Sequence, residues 1–170
     1  MRIDSKNREI FDLIVPNHQL IEVLSSNFNW FSGVPDSMFT RIIPHLADYH
    51  FSPRENHAVA MAFGARIAGA KPCVLLQNSG LGLCLDALIG LQRLYQKGLV
   101  LLVTQRGELE WEEIQHQDWG KYTLPLLESI NIQVFDYNQL GCDAIMKASD
   151  FAYTNEEICV VLLHRGNVDE

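Results

Sequence analysis

Hydrophobic positions along this chain alternate between a helical spacing and short unbroken runs, and the two patterns take turns from about residue 17 onward. Residues 18–27 carry Leu20, Ile21, Val23 and Leu24 on or near one face, which predicts a helix. Residues 30–34 read as a short strand ending at Gly33 and Pro35. Asp36 and Ser37 then supply a helix start signal before Met38, Phe39, Ile42 and Ile43, with Pro44 near the end of that helix. An Ala-rich helix is predicted from residue 55 or 56 to 69, followed by an apolar strand over 73–76. A helix over 83–95 and a strand over 99–103 complete a β-α-β unit. Residues 105–122 are polar and irregular, after which helix 124–130, strand 132–135, helix 140–153 and strand 158–163 close the pattern.

Strands that are apolar throughout and separated by helices indicate a parallel sheet covered on both faces. The predicted fold is an open, doubly wound, mostly parallel α/β domain over residues 17–170, with residues 1–16 as an N-terminal extension. In such sheets ligands bind beyond the carboxyl ends of the strands. Four segments therefore hold the candidate chemistry: Gly33-Val34-Pro35-Asp36-Ser37, Pro53-Arg54-Glu55-Asn56-His57, Gln77-Asn78-Ser79-Gly80-Leu81-Gly82, and the stretch 105–122. Asp36 reads either as a helix cap or as a working carboxylate, and Glu55 either as a first-turn acid favoured by the helix dipole or as a site residue.

The chain has 170 residues, 48% of them hydrophobic and 20% charged, the composition of a single folded domain. Its net charge of −8, with basic residues scattered, argues against a nucleic-acid partner. The polar start of the chain leads into no apolar segment long enough for a signal peptide or a membrane span, so a cytoplasmic location and no membrane partner are expected. Cys73, Cys84, Cys142 and Cys159 share no metal-binding spacing, and Cys73 and Cys159 fall in apolar runs typical of buried strands. The six histidines form no H-x-x-x-H pair, and Glu113 with His116 is a lone i, i+3 pair, so no metal site is expected on this chain.

Five segments, in order, resemble phosphonopyruvate decarboxylase and the related sulfopyruvate decarboxylase. They are Gly33-Val34-Pro35-Asp36-Ser37, Glu55-Asn56-x-Ala58-Val59-Ala60, Gln77-Asn78-Ser79-Gly80-Leu81-Gly82, Arg106-Gly107-Glu108 and Gln115-His116, and the resemblance spans about residues 17–165. It implies an enzyme that uses thiamine diphosphate and Mg²⁺, built from a pyrimidine-binding domain and a diphosphate-binding domain. Only the first is matched, since neither the Gly-Asp-Gly element nor the Asn pair of the second occurs here. The implied arrangement is a split 2-oxoacid decarboxylase. This chain is then the pyrimidine-binding subunit, and a β-type partner chain holds the Mg²⁺ and diphosphate in a heterodimer or heterotetramer. The expected substrates are 3-phosphonopyruvate or 3-sulfopyruvate.

The resemblance also implies roles. Glu55 matches the family carboxylate that hydrogen-bonds N1′ of the aminopyrimidine, and Asp36 and His116 are the candidates for later proton transfer. Glu108, Glu112, Glu113 and Asp118 are alternative acids. Val34, Pro35, Asn78, Ser79 and Gly80 are expected against the cofactor together with Glu55, and Arg106, Arg54, Lys121 and Asn78 against the anionic tail of the substrate. The bulky, acidic Leu109-Glu110-Trp111-Glu112-Glu113-Ile114 and the Leu83 after Gly82 depart from the family pattern and bear on substrate identity. Two other outcomes share the fold: a carboligase or acyl-transferring enzyme that passes its intermediate to another acceptor, and a non-catalytic regulatory subunit.

Overall fold

A computed structural model describes residues 17–169. Its centre is a six-stranded sheet, parallel throughout, in the order β2-β1-β3-β4-β6-β5. The strands are β1 (Trp30–Gly33), β2 (Tyr49–Phe51), β3 (Pro72–Gln77), β4 (Leu99–Thr104), β5 (Gln133–Asp136) and β6 (Ile158–Leu163). The helices are α1 (His18–Asn27), α2 (Glu55–Ile67), α3 (Leu81–Asp86), α4 (Gln92–Tyr95), α5 (Ile114–Ser129), α6 (Tyr137–Leu140) and α7 (Asp143–Asn155). A π-turn over Ala87–Leu91 joins α3 to α4.

Alternation of side chains along the central strands divides the core into two layers. Cys73, Leu75, Val100, Leu102, Cys159 and Val161 face α1, α7 and the segment after β1. Val74, Leu76, Leu101, Val103, Val160 and Leu162 face α2, α3 and α5. Because β3, β4 and β6 bury residues on both faces, each strand reads as a continuous apolar run, and each buried Val or Leu contributes about 1.5–3 kcal/mol. Cys73 and Cys159 are fully enclosed small core residues. No helix among the described residues is long and apolar enough to cross a membrane.

The predicted elements reappear with three corrections. The segment after Asp36 forms two single 3₁₀ turns, Ser37–Phe39 and Ile43–His45, where a longer helix was expected. Pro44 lies within the second turn and its ring blocks regular continuation. Strand β2 was not anticipated: its three residues sit at the sheet edge and are half-buried or exposed, so they carry no apolar run. The second half of the irregular stretch 105–122 is helical, since α5 begins at Ile114 and runs to Ser129, while residues 105–113 form the expected loop. Gly120 and Pro125 lie inside this helix and weaken its sequence signal.

The chain leaves β1 toward β2 on one side and returns to β3 on the other. This reversal opens a crevice at the carboxyl ends of β1 and β3, where such folds bind ligands. The predicted N-terminal extension, residues 1–16, lies outside the described residues.

Candidate active site

Four strand ends build the crevice. From β1 comes Asp36, whose Oδ1 accepts the Met38 backbone N–H at 2.9 Å and so caps the first 3₁₀ turn. From β4 comes Arg106, 3% exposed, whose Nη2 donates to Asp36 Oδ1 at 2.9 Å, to Oδ2 at 3.1 Å and to Ser37 Oγ at 2.7 Å. Asp36 is therefore both helix cap and ion-pair partner. Its two oxygens are committed to Arg106, and the pair carries no net charge. The Arg106 Nε–H is buried and has no partner.

These residues line a cavity of about 480 Å³ together with Pro35, Gln77, Trp111, His116 and Arg165. His116 stands in the first turn of α5, and close backbone packing fixes it there. Gly107 has φ +85°, and a Cβ on it would lie 1.9 Å from the His116 carbonyl oxygen. A Cβ on Gly120 would lie 2.1 Å from the Gly107 carbonyl oxygen. Only two glycines facing each other let the loop after β4 cross α5 at this distance.

The loop itself is held by Glu112. Its Oε2 accepts backbone N–H groups from Gly107, Glu108 and Leu109 at 2.8, 2.9 and 3.1 Å, and its Oε1 accepts from Arg165 Nε at 3.3 Å. Burial pushes this carboxyl up, but the Leu109 N–H, the Arg165 guanidinium and the other two N–H groups outweigh it, leaving the group below its ordinary range. Glu112 thus serves as an anionic anchor and not as a proton donor. Arg165 also lies 4.9 Å over the Trp111 ring, a cation–π stack that forms one wall of the cavity. Glu108 is engaged by His164 Nδ1 at 2.8 Å, and Asp118 pairs with Lys121 in solvent.

Glu55 opens α2 at the end of β2 and is half-buried. It rests directly on Gly80, where a Cβ would come within 2.4 Å of Glu55 Cγ. Among the described residues its carboxylate accepts no hydrogen bond, and burial followed by the nearby Glu55 charge pushes the Cys84 thiol up to about 12. Ser79 is half-buried and its Oγ accepts from Gln77 Nε2 at 2.8 Å, linking this corner to the cavity. Val34 is half-buried and Pro35 exposed beside it.

Three sequence expectations meet a different geometry. Asn78 is fully buried, and its Nδ2 points inward to Gln105 Oε1, the Arg106 carbonyl and Thr123 Oγ1 at 3.3, 3.0 and 3.0 Å. Its side chain ties β3, β4 and α5 together and faces inward, away from the cavity lining. Lys121 is 71% exposed on α5 and pairs outward with Asp118, away from the cavity. Arg54 is exposed and absent from the cavity wall, where its carbonyl accepts the Ser52 hydroxyl instead. Arg165 was missed as a site residue, although a cation two residues past a buried strand was a legible cue. Gln77 stood in a candidate segment without a role, and Glu112, offered as an alternative acid, is the anchor of the loop after β4. Among the described residues no three His, Cys, Asp or Glu side chains gather as a metal site.

No protein-family model matches the chain. Two solved structures share its fold. A 2-oxoglutarate:ferredoxin oxidoreductase from Magnetococcus marinus aligns with TM-score 0.68 and 16% identity over 89% of this chain and 29% of its own. An enzyme from Mycobacterium smegmatis described as thiamin diphosphate-dependent aligns with TM-score 0.67 and 18% identity over 88% and 30%. Phosphonopyruvate decarboxylase from Streptomyces viridochromogenes is 32% identical over 60% of this chain and 27% of its own length. Sulfopyruvate decarboxylase subunit alpha from Methanococcus maripaludis is 30% identical over 119 residues, 66% of this chain and 71% of that subunit. With that share of the subunit matched, the chain belongs to the family of sulfopyruvate decarboxylase alpha subunits.

Proposed function

We propose that this chain is the pyrimidine-binding subunit of a split thiamine-diphosphate-dependent decarboxylase acting on 3-sulfopyruvate or 3-phosphonopyruvate in the cytoplasm. The observation that carries the proposal is Glu55, a half-buried carboxylate without a hydrogen-bond partner among the described residues, pressed against a glycine at the carboxyl edge of the sheet. A site carboxylate with nothing to accept from is poised for a ring nitrogen, and Gly80, lacking a Cβ, lets Glu55 pack directly on the segment that follows β3. The cofactor's aminopyrimidine fits this corner. Val34, Pro35, Ser79 and Gly80 would flank it, Ser79 and Gly80 through the segment that follows β3.

When bound, thiamine diphosphate supplies a carbon nucleophile and an electron sink for decarboxylation. Glu55 would share a proton with N1′ of the pyrimidine, a task suited to a carboxyl in a partly dehydrated corner. Arg106, Ser37 and Asp36 hold the β1 and β4 loops at fixed separation, so the cavity keeps its shape. His116, on the cavity wall, would deliver a proton to C2 of the substrate after the C1–C2 bond breaks and carbon dioxide leaves, so that the aldehyde can be released. With both oxygens on Arg106, Asp36 orients this wall and is a positioning residue.

A β-type partner chain would supply the Mg²⁺ and diphosphate domain, in a heterodimer or heterotetramer. Support comes from coverage: the chain matches 71% of a relative named as an alpha subunit but 27% of the phosphonopyruvate decarboxylase chain. The test is Glu55→Gln in the complex with its partner. The variant should melt within about 2 °C of wild type, as a near-isosteric change does, and lose at least about a hundredfold in turnover. Wild-type turnover by this variant refutes the assignment.

A further inference from the structure

Resting on that reading, we infer that His164 is a positioning residue whose protonated ring fastens the loop after β4, and through it His116, to the rim of the sheet. His164 is the first residue beyond β6, and its side chain is 11% exposed. Nδ1 lies 2.9 and 2.8 Å from the two oxygens of Glu108, and Nε2 lies 3.2 Å from Asp136 Oδ1. The ring thus stands between carboxylates that follow β4 and end β5, the two strands that flank β6.

One side of this bridge is fixed and the other belongs to the loop. Asp136 caps α6 by accepting the Asn138 N–H at 2.7 Å. The His164 N–H donates to Asn167 Oδ1 at 2.7 Å, and Asn167 Nδ2 donates to Asn138 Oδ1 at 2.7 Å, so the turn after β6 is tied to α6. Glu108 sits in the loop, and its side chain is 38% exposed. Glu112 joins the loop to itself and to Arg165, whereas the bridge through His164 joins it to the end of β5.

The ring's protonation decides whether the bridge holds. A neutral imidazole has one N–H, which can serve Glu108, but its other nitrogen then turns a lone pair toward Asp136. Nε2 is buried and makes no hydrogen bond, so its relation to Asp136 is that of charge to charge, favourable only in the imidazolium. The other titratable neighbours are engaged elsewhere: Arg165, next in the chain, meets Glu112, and Tyr137 of α6 turns its hydroxyl to Cys142. Gly107, adjacent to Glu108, packs on the His116 carbonyl, so the seat of Glu108 is passed on to the proposed proton donor. The bridge is made in acid and is lost as rising pH removes the proton.

The test compares kcat of wild type, His164→Gln and Glu108→Gln, each assembled with its partner chain, from about pH 6 to about pH 8.5. The ratio of either variant to wild type cancels the titration of His116 itself. It should be about one-fifth at the acid end and rise toward one at the alkaline end, with KM little changed. Nitrogen-15 spectra of the histidine rings, with His164→Gln assigning the signal, should show both nitrogens of His164 protonated at the acid end. A ratio that is depressed equally at every pH would mark a structural role, and a ratio of one at the acid end would also overturn the inference. Failure of the wild-type complex to decarboxylate would instead defeat the proposed function, while the ring spectra would still decide whether His164 bridges as a cation.

Discussion

Removing the Glu112 carboxylate should release the loop that closes the cavity. Three N–H donors converge on Oε2 at 2.8–3.1 Å, Arg165 meets Oε1, and the side chain is 2% exposed. A hydrogen bond to a charged group contributes about 1.5–3 kcal/mol, but three donors sharing one oxygen do not add, so about 3 kcal/mol for the whole anchor is reasonable. Glu112→Ala should therefore speed amide exchange at Gly107, Glu108 and Leu109 by about a hundredfold, at tenfold per 1.4 kcal/mol. Hydrogen exchange read by mass spectrometry or NMR measures this directly. The pH dependence has a defined sign. The folded-state value lies below the ordinary 4.5, so the stabilisation is fully present above that pH and is lost as pH falls through the lowered value. In wild type the loop amides should stay protected at neutral pH and lose protection only in acid, below the ordinary carboxylate value, a change that Glu112→Gln should largely remove. Wild-type exchange rates in Glu112→Ala at pH 7 would refute the anchoring argument.

Other parts of the site can be tested by stability. Asp36→Ala leaves the Arg106 guanidinium buried without its partner and should cost about 3–5 kcal/mol in urea unfolding, while Asp36→Ala with Arg106→Leu should recover much of that. Gly107→Ala adds a Cβ 1.9 Å from a carbonyl oxygen at φ +85° and should lower the melting temperature more than any surface substitution, with His116 displaced. Asn78→Ala should destabilise the chain by about 2–4 kcal/mol, because the Arg106 carbonyl and the Gln105 and Thr123 side-chain oxygens lose their shared donor inside the core.

The sheet was legible because its central strands are apolar on both sides, a pattern that survives without knowledge of neighbours. Strand β2 was not, since an edge strand of three half-exposed residues has no run to read. Helix α5 was shortened by its own chemistry: Gly120 and Pro125 are poor helix formers, and Gly120 is there to admit Gly107. The motif Gln77-Asn78-Ser79-Gly80 located the right corner but not the direction of each side chain. Asn78, which reads as a ligand group, faces inward, and Gly80 acts through the space it leaves for Glu55.

Charge at the cavity was the least legible property, for a reason that lies in the topology. A sequence counts cations but does not say which carboxylate will reach each one. Arg106 is neutralised by a residue 70 positions away because β1 and β4 flank β3 and their following loops converge over its end. Arg165 meets Glu112, 53 positions away, only because that carboxylate has been drawn into the loop after β4, which neighbours β6. The two carboxylates then do opposite things. Asp36 gives both oxygens to its arginine and cancels it, whereas Glu112 gives one oxygen to the backbone and uses the other to orient. How each arginine is held is decided by this division of oxygens, and the Arg-Gly-Glu motif alone does not reveal that its arginine is committed to Asp36.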